Sequence, residues 1–114
     1  MILKINKELF QWEKNRYIFI ELEENDPEIF YIQFYNKQSK YGPEIPVENG
    51  KAKIPNFLLK EDLPIIALAC TKIDENIQVI KRREFKVLKR AKPEYYFDDE
   101  DTSKEIIYDG GMEI

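Results

Sequence analysis

Between residues 16 and 36 apolar and polar or aromatic side chains alternate with a period of two, which suits an extended strand and disfavours a helix. In RYIFIELE, Tyr17 and Phe19 fall on one side of the strand, with Ile18, Ile20 and Leu22 on the other. EIFYIQFYN repeats the pattern, with Ile29, Tyr31 and Tyr35 on one side and Phe30, Ile32 and Phe34 on the other. Asn25-Asp26-Pro27 between them is a turn signal, because Asn and Asp side chains bond nearby backbone and Pro fixes its own φ. The two runs are therefore expected to pair as an antiparallel hairpin.

The rest of the chain extends this reading. KQSKYGPEIP carries Gly42-Pro43 and Pro46 and reads as a loop. Asn49-Gly50 is a tight-turn dipeptide, and KAKI after it is a short strand. Asn56 is placed to cap one helical turn that brings Phe57, Leu58 and Leu59 toward the core before Pro64 stops it. PIIALACTKI is apolar on both faces, as a central strand is. Asp74-Glu75-Asn76 turns the chain back into IQVIKRREFKVLKR, where a bulge is expected near Arg83. Short strands at this spacing imply an all-β chain, an immunoglobulin-like antiparallel β-sandwich with one short helical turn and an acidic C-terminal tail. The expected division is a sandwich domain over residues 1–97 and a flexible or partner-docked tail over 98–114. No internal repeat or sustained heptad pattern is present.

Composition narrows the function. The 114 residues are 43% hydrophobic and 13% aromatic, enough for one core despite 35% charged residues. There is no histidine, which removes the commonest general base and metal ligand. Cys70 is the only cysteine, so neither an intramolecular disulfide nor a cysteine-based zinc site is available, and in its apolar strand it reads as a small core residue. No run reaches the roughly 18 apolar residues of a membrane helix, and MILKINKELFQW lacks the apolar stretch of a secretion signal. The expectation is a protein made in the cytoplasm, without cofactor, metal or membrane contact.

The net charge of −4 hides a segregation. Residues 81–92 hold seven bases and one acid, net +6, and residues 93–114 hold eight acids and one base, net −7. One reading is a basic strand and an acidic tail that meet between copies or with a partner, through Arg82, Arg83, Lys89 and Arg90 on one side and Ile106, Ile107 and Tyr108 on the other. The other is a solvated edge strand whose bases deter unwanted pairing, followed by a disordered tail. Phe85 is the only aromatic in the basic stretch, which argues against nucleic acid. Asp98-Asp99-Glu100-Asp101 lacks the ligand spacing of a calcium loop. Glu23 with Glu24, or Glu61 with Asp62, are carboxylate pairs of a kind common on surfaces. Trp12, Tyr41 and the other tyrosines suit either a sugar-binding platform or packing.

The order of these features resembles an N-terminal domain of tail, baseplate and head-fibre proteins of phages and prophages of Gram-positive bacteria. The residues that carry the resemblance are Trp12, the strand Tyr17-Ile18-Phe19-Ile20, the aromatic strand through Phe34, Ile54-Pro55-Asn56 with Leu58-Leu59, Pro64-Ile65, and the exit Lys89-Arg90-Ala91-Lys92-Pro93-Glu94-Tyr95. The resemblance implies a non-enzymatic virion protein that is made in the bacterial host cytoplasm, forms a homo-oligomer and binds other virion proteins. A carbohydrate-binding β-sandwich module is the alternative. Such domains commonly continue into a stalk or receptor-binding module, whereas here the exit leads into the acidic segment.

Overall fold

The computed structural model describes residues 1–97. Its strands are β1 (Ile2–Lys4), β2 (Leu9–Phe10), β3 (Tyr17–Glu21), β4 (Tyr31–Tyr35), β5 (Glu44–Pro46), β6 (Lys51–Lys53), β7 (Ile65–Ile73), β8 (Asn76–Phe85) and β9 (Val87–Leu88), with a 3-10 turn over Asn56–Lys60. The architecture is all-β. One antiparallel sheet has the order β1-β3-β6 and the other β5-β4-β7-β8, while β2 and β9 form a short parallel ladder.

One core lies between the two sheets. Leu3, Ile18, Ala52 and Ile54 meet Ile32, Phe34, Ile65, Ala67 and Ala69 in it, closed by Leu9, Leu58, Leu59, Phe85 and Val87. Each alternating run contributes one face to it, Ile18 from the first and Ile32 and Phe34 from the second, but the two are not the expected hairpin. β3 pairs with β1 and β6, whereas β4 pairs with β5 and β7. The turn is present, with the Asp26 amide donating to the Glu23 carbonyl at 3.0 Å and the Asp26 carboxylate accepting from the Glu23 amide at 2.8 Å. Beyond it the chain crosses to the facing sheet. That choice buries Ile18 against Ile32 and Phe34, which a flat two-stranded pairing leaves side by side on one surface.

Three further expectations need correction. The segment read as a loop contains β5, an edge strand where Pro46 is tolerated because its missing N–H faces no further strand. It is drawn close by Gly42, where a Cβ would lie 2.9 Å from the Gln33 side chain, whose amide donates to the Gly42 carbonyl at 3.1 Å. Asn56 does not cap the 3-10 turn. Pro55 holds the cap position, and the side-chain Oδ1 of the buried Asn56 accepts from the Asn15 main-chain amide at 3.2 Å. The bulge lies at Ile80, skipped where Ala69 faces Lys81 and Cys70 faces Val79, and not at Arg83. By contrast, Asn49 and Gly50 form the expected tight turn, at φ 55° and 74°, and β7 is a central strand.

Arg16 organises the loop between β1 and β3. Buried to 8% exposure, its guanidinium donates to the carbonyls of Glu8 at 2.9 Å and Lys7 at 2.6 Å, to the Asn6 side chain at 3.2 Å, and to the Glu13 carboxylate. A buried charge so fully bonded ties residues 6–8, before β2, to Glu13 after it.

Candidate functional site

β7 and β8 form a long hairpin closed by Asp74 and Glu75, both in the left-handed region at φ 50° and 69°. That pair of positive φ values matches the right-handed twist of the strands it joins. Cross-strand partners share a face, so Arg82 lies beside Leu68 on the outer face of the sheet, and Arg83 beside Ala67 on the core side. β8 is the last strand of its sheet, and β7 is its only strand partner among the described residues. From Asn76 to Glu84 every residue but Ile80 is exposed, and Ile80 leans on the core. Ile77 and Val79 stand 44% and 53% exposed, with Ile73 across the turn at 39%. An edge of this length offers a row of main-chain N–H and C=O groups that no other described strand pairs, flanked by apolar and basic side chains.

The basic residues singled out from the sequence are not one surface. Arg82 is exposed and pairs with Glu84 at 3.3 Å, a contact of little energetic weight in water. Arg83 is committed to the fold: its guanidinium donates to the Leu3 carbonyl and lies 4.9 Å from the Phe85 ring, tying β8 to β1 of the facing sheet. Lys89 and Arg90 follow β9, outside the four-stranded sheet, where the Arg90 amide donates to the Gln11 side chain at 3.0 Å. Ile106, Ile107 and Tyr108 lie outside the described residues.

A second cluster was missed by sequence reasoning. Trp12, at φ 70°, packs edge-on against Tyr96 with ring centroids 5.4 Å apart. Lys92 lies 5.2 Å from the Trp12 ring, and Lys14 and Lys60 lie 5.5 and 6.0 Å from that of Tyr96. Lys14 also donates to the Phe97 carbonyl. The segment that follows β9 is thus fastened to the loop between β2 and β3 by cation–π and edge contacts. The sequence pointed to Trp12 and to the exit Lys89–Tyr95 separately, but the exit's Tyr95 is 90% exposed and it is Tyr96 that meets Trp12.

Comparison with protein families, curated proteins and solved structures finds no match. Cys70 is buried and burial pushes its thiol up, away from the reactive thiolate. Its cross-strand neighbour Tyr31 is pushed up to about 12 by burial and by the Glu44 carboxylate. Among the described residues no three metal-ligating side chains come together. The Glu23 carboxylate is 3.1 Å from the Met1 amine, with Asp26 at 2.7 Å, while Glu61 and Asp62 are exposed. A cleft of about 460 Å³ lies between Pro27, Glu28, Ile29, Phe30, Val47, Thr71 and Lys72 and is lined by a single carboxylate, Glu28.

Proposed function

We propose that this chain is a structural protein-binding module, an attachment or fibre-base domain of a phage particle that assembles with itself and with another virion protein, and that the edge of β8 is where it binds. The observation that carries the reading is this ten-residue edge strand, exposed on both faces over most of its length and paired on one side only among the described residues. Strand addition to such an edge draws affinity from main-chain bonds and specificity from alternate side chains. The placement in a virion rests on the sequence resemblance.

The fold reading that goes with it is an immunoglobulin-like sandwich. In its favour are the strand orders β1-β3-β6 and β5-β4-β7-β8, with β2 leaving β1's sheet to run parallel to β9. On this reading β2 covers the end of the β8–β9 run and leaves residues 76–84 for a partner. The acidic segment 98–114 continues from an exit held by Trp12 and Lys14.

Light scattering on the purified chain tests the proposal. A discrete oligomer that dissociates when Ile77 and Val79 are both changed to Lys is the expected result, since charges on an edge discourage pairing. A monomer at every concentration, with cell-wall glycans quenching Trp12 fluorescence, would contradict it and favour the carbohydrate-binding alternative.

A further inference from the structure

We propose that the strand added to β8 is Glu105-Ile106-Ile107-Tyr108 of a second copy of this chain, running antiparallel to β8. The proposal rests on the reading of β8 as the binding edge and names its occupant. Two properties of β8 select this segment. Ile77 and Val79 present apolar side chains on one face, 44% and 53% exposed, beside the edge that no described strand pairs, and a partner strand must offer apolar side chains at alternate positions to cover them. Ile106 and Tyr108 stand two apart and meet that need. Beyond the apolar pair the edge becomes basic, with Lys81 and Arg82 exposed and Lys86, Lys89 and Arg90 following.

Charge then fixes direction. In an antiparallel pairing that sets Ile106 beside Val79 and Tyr108 beside Ile77, residues 98–104, with four acids and one base, fall alongside residues 81–87, with four bases and one acid, so the two stretches are complementary in sum although Asp101 meets Glu84 and Lys104 meets Lys81. A parallel pairing carries the same four acids past the hairpin turn, beside Asp74 and Glu75. Like charges placed together select against that arrangement. Because each copy has one edge and one acidic segment, mutual exchange closes a two-fold dimer with no edge of this kind left over.

The experiment compares three full-length chains by sedimentation or light scattering across concentration. One is the native protein, the second carries Lys81→Glu with Arg82→Glu, and the third carries Asp99→Lys with Asp101→Lys. Arg83 is left in place because it holds Leu3, and thermal unfolding checks that all three fold alike. The native chain is expected to dimerise, each variant alone to do so at least roughly tenfold more weakly, and their equimolar mixture to regain the native affinity as a heterodimer. A dimer weakened by the edge substitutions but untouched by the tail substitutions would overturn the occupant and leave the edge reading standing. Indifference to both would overturn the occupant and the edge reading together. A monomer whose β8 amides are protected only while residues 98–114 are attached would overturn donation between copies.

Discussion

β7 and β8 are the two arms of one hairpin, nine and ten residues long, and they have opposite environments. β7 lies between β4 and β8 and is buried at Ile65, Ile66, Ala67, Ala69, Cys70 and Thr71, on both faces of its sheet. β8 buries only Phe85. The sheet needs β8 to pair the outer side of β7, yet nearly all of its side chains are left to solvent. A strand in that position is held by its main chain and a few anchors, so its surface is open to selection for something other than stability. The difference between the arms therefore separates what folds this chain from what the chain presents.

The comparison breaks most visibly at matched substitutions. Ala67→Asp places an unpaired carboxylate at a fully buried site and should cost about 3–5 kcal/mol, enough to unfold a marginal domain, in urea denaturation. Val79→Asp, twelve residues on in the other arm, should change stability by less than about 0.5 kcal/mol. If the two cost the same, the arms are not distinct. Phe85→Ala tests the anchor at the base of β8, 3% exposed, with an expected loss of about 3 kcal/mol or more.

Arg83→Ala should cost about 1 kcal/mol by loss of the Leu3 carbonyl bond and the contact with Phe85. Arg82→Ala, at the neighbouring position on the other face, should be silent in the same assay. The smallest effect is electrostatic. The Met1 amine is held above its ordinary value of 8.0, chiefly by hydrogen bonds to Asp26 and Glu23. Asp26 is held below 3.8, chiefly by that amine and the Glu23 amide, with Lys81 of β8 adding a weaker pull. The amine's contribution to stability is complete below pH 8 and fades as pH rises through its raised value. That of Asp26 is complete above pH 4 and fades as pH falls through its lowered value. NMR titration should therefore find both fully in place between about pH 4 and 8, and Lys81→Met should let Asp26 drift upward.

Much of this division was legible in the sequence. The unbroken apolar run of β7 and the charged run of β8 identify the inner and outer arms, and Asp74-Glu75 between them marks the turn. Alternation also sorted the residues of β3 and β4 onto two faces, without saying which one is buried. What it could not name was the partner of each strand, because a period of two says which face is apolar and nothing about which sheet it joins. Hence the turn signal Asn25-Asp26-Pro27 suggested a hairpin where the chain crosses the core. β5 was hidden by Gly42, Pro43 and Pro46, whose usual meaning is a loop, until an edge position made Pro46 acceptable. Trp12 was legible as an important aromatic but not as a fastening, since its contact with Tyr96 spans most of the chain and depends on a backbone at φ 70°. For the interaction surface, composition pooled Arg82 and Arg83, although neighbouring strand residues face opposite ways and only the first is left on the outside.

Amide hydrogen exchange, read residue by residue on the full chain at low and high concentration, tests the central claim most directly. The account predicts that β7 amides are protected at both concentrations, while amides of residues 76–84 on the outer side of β8 gain protection only as the chain assembles. Assembly with no change in β8 exchange, and new protection elsewhere, would contradict it.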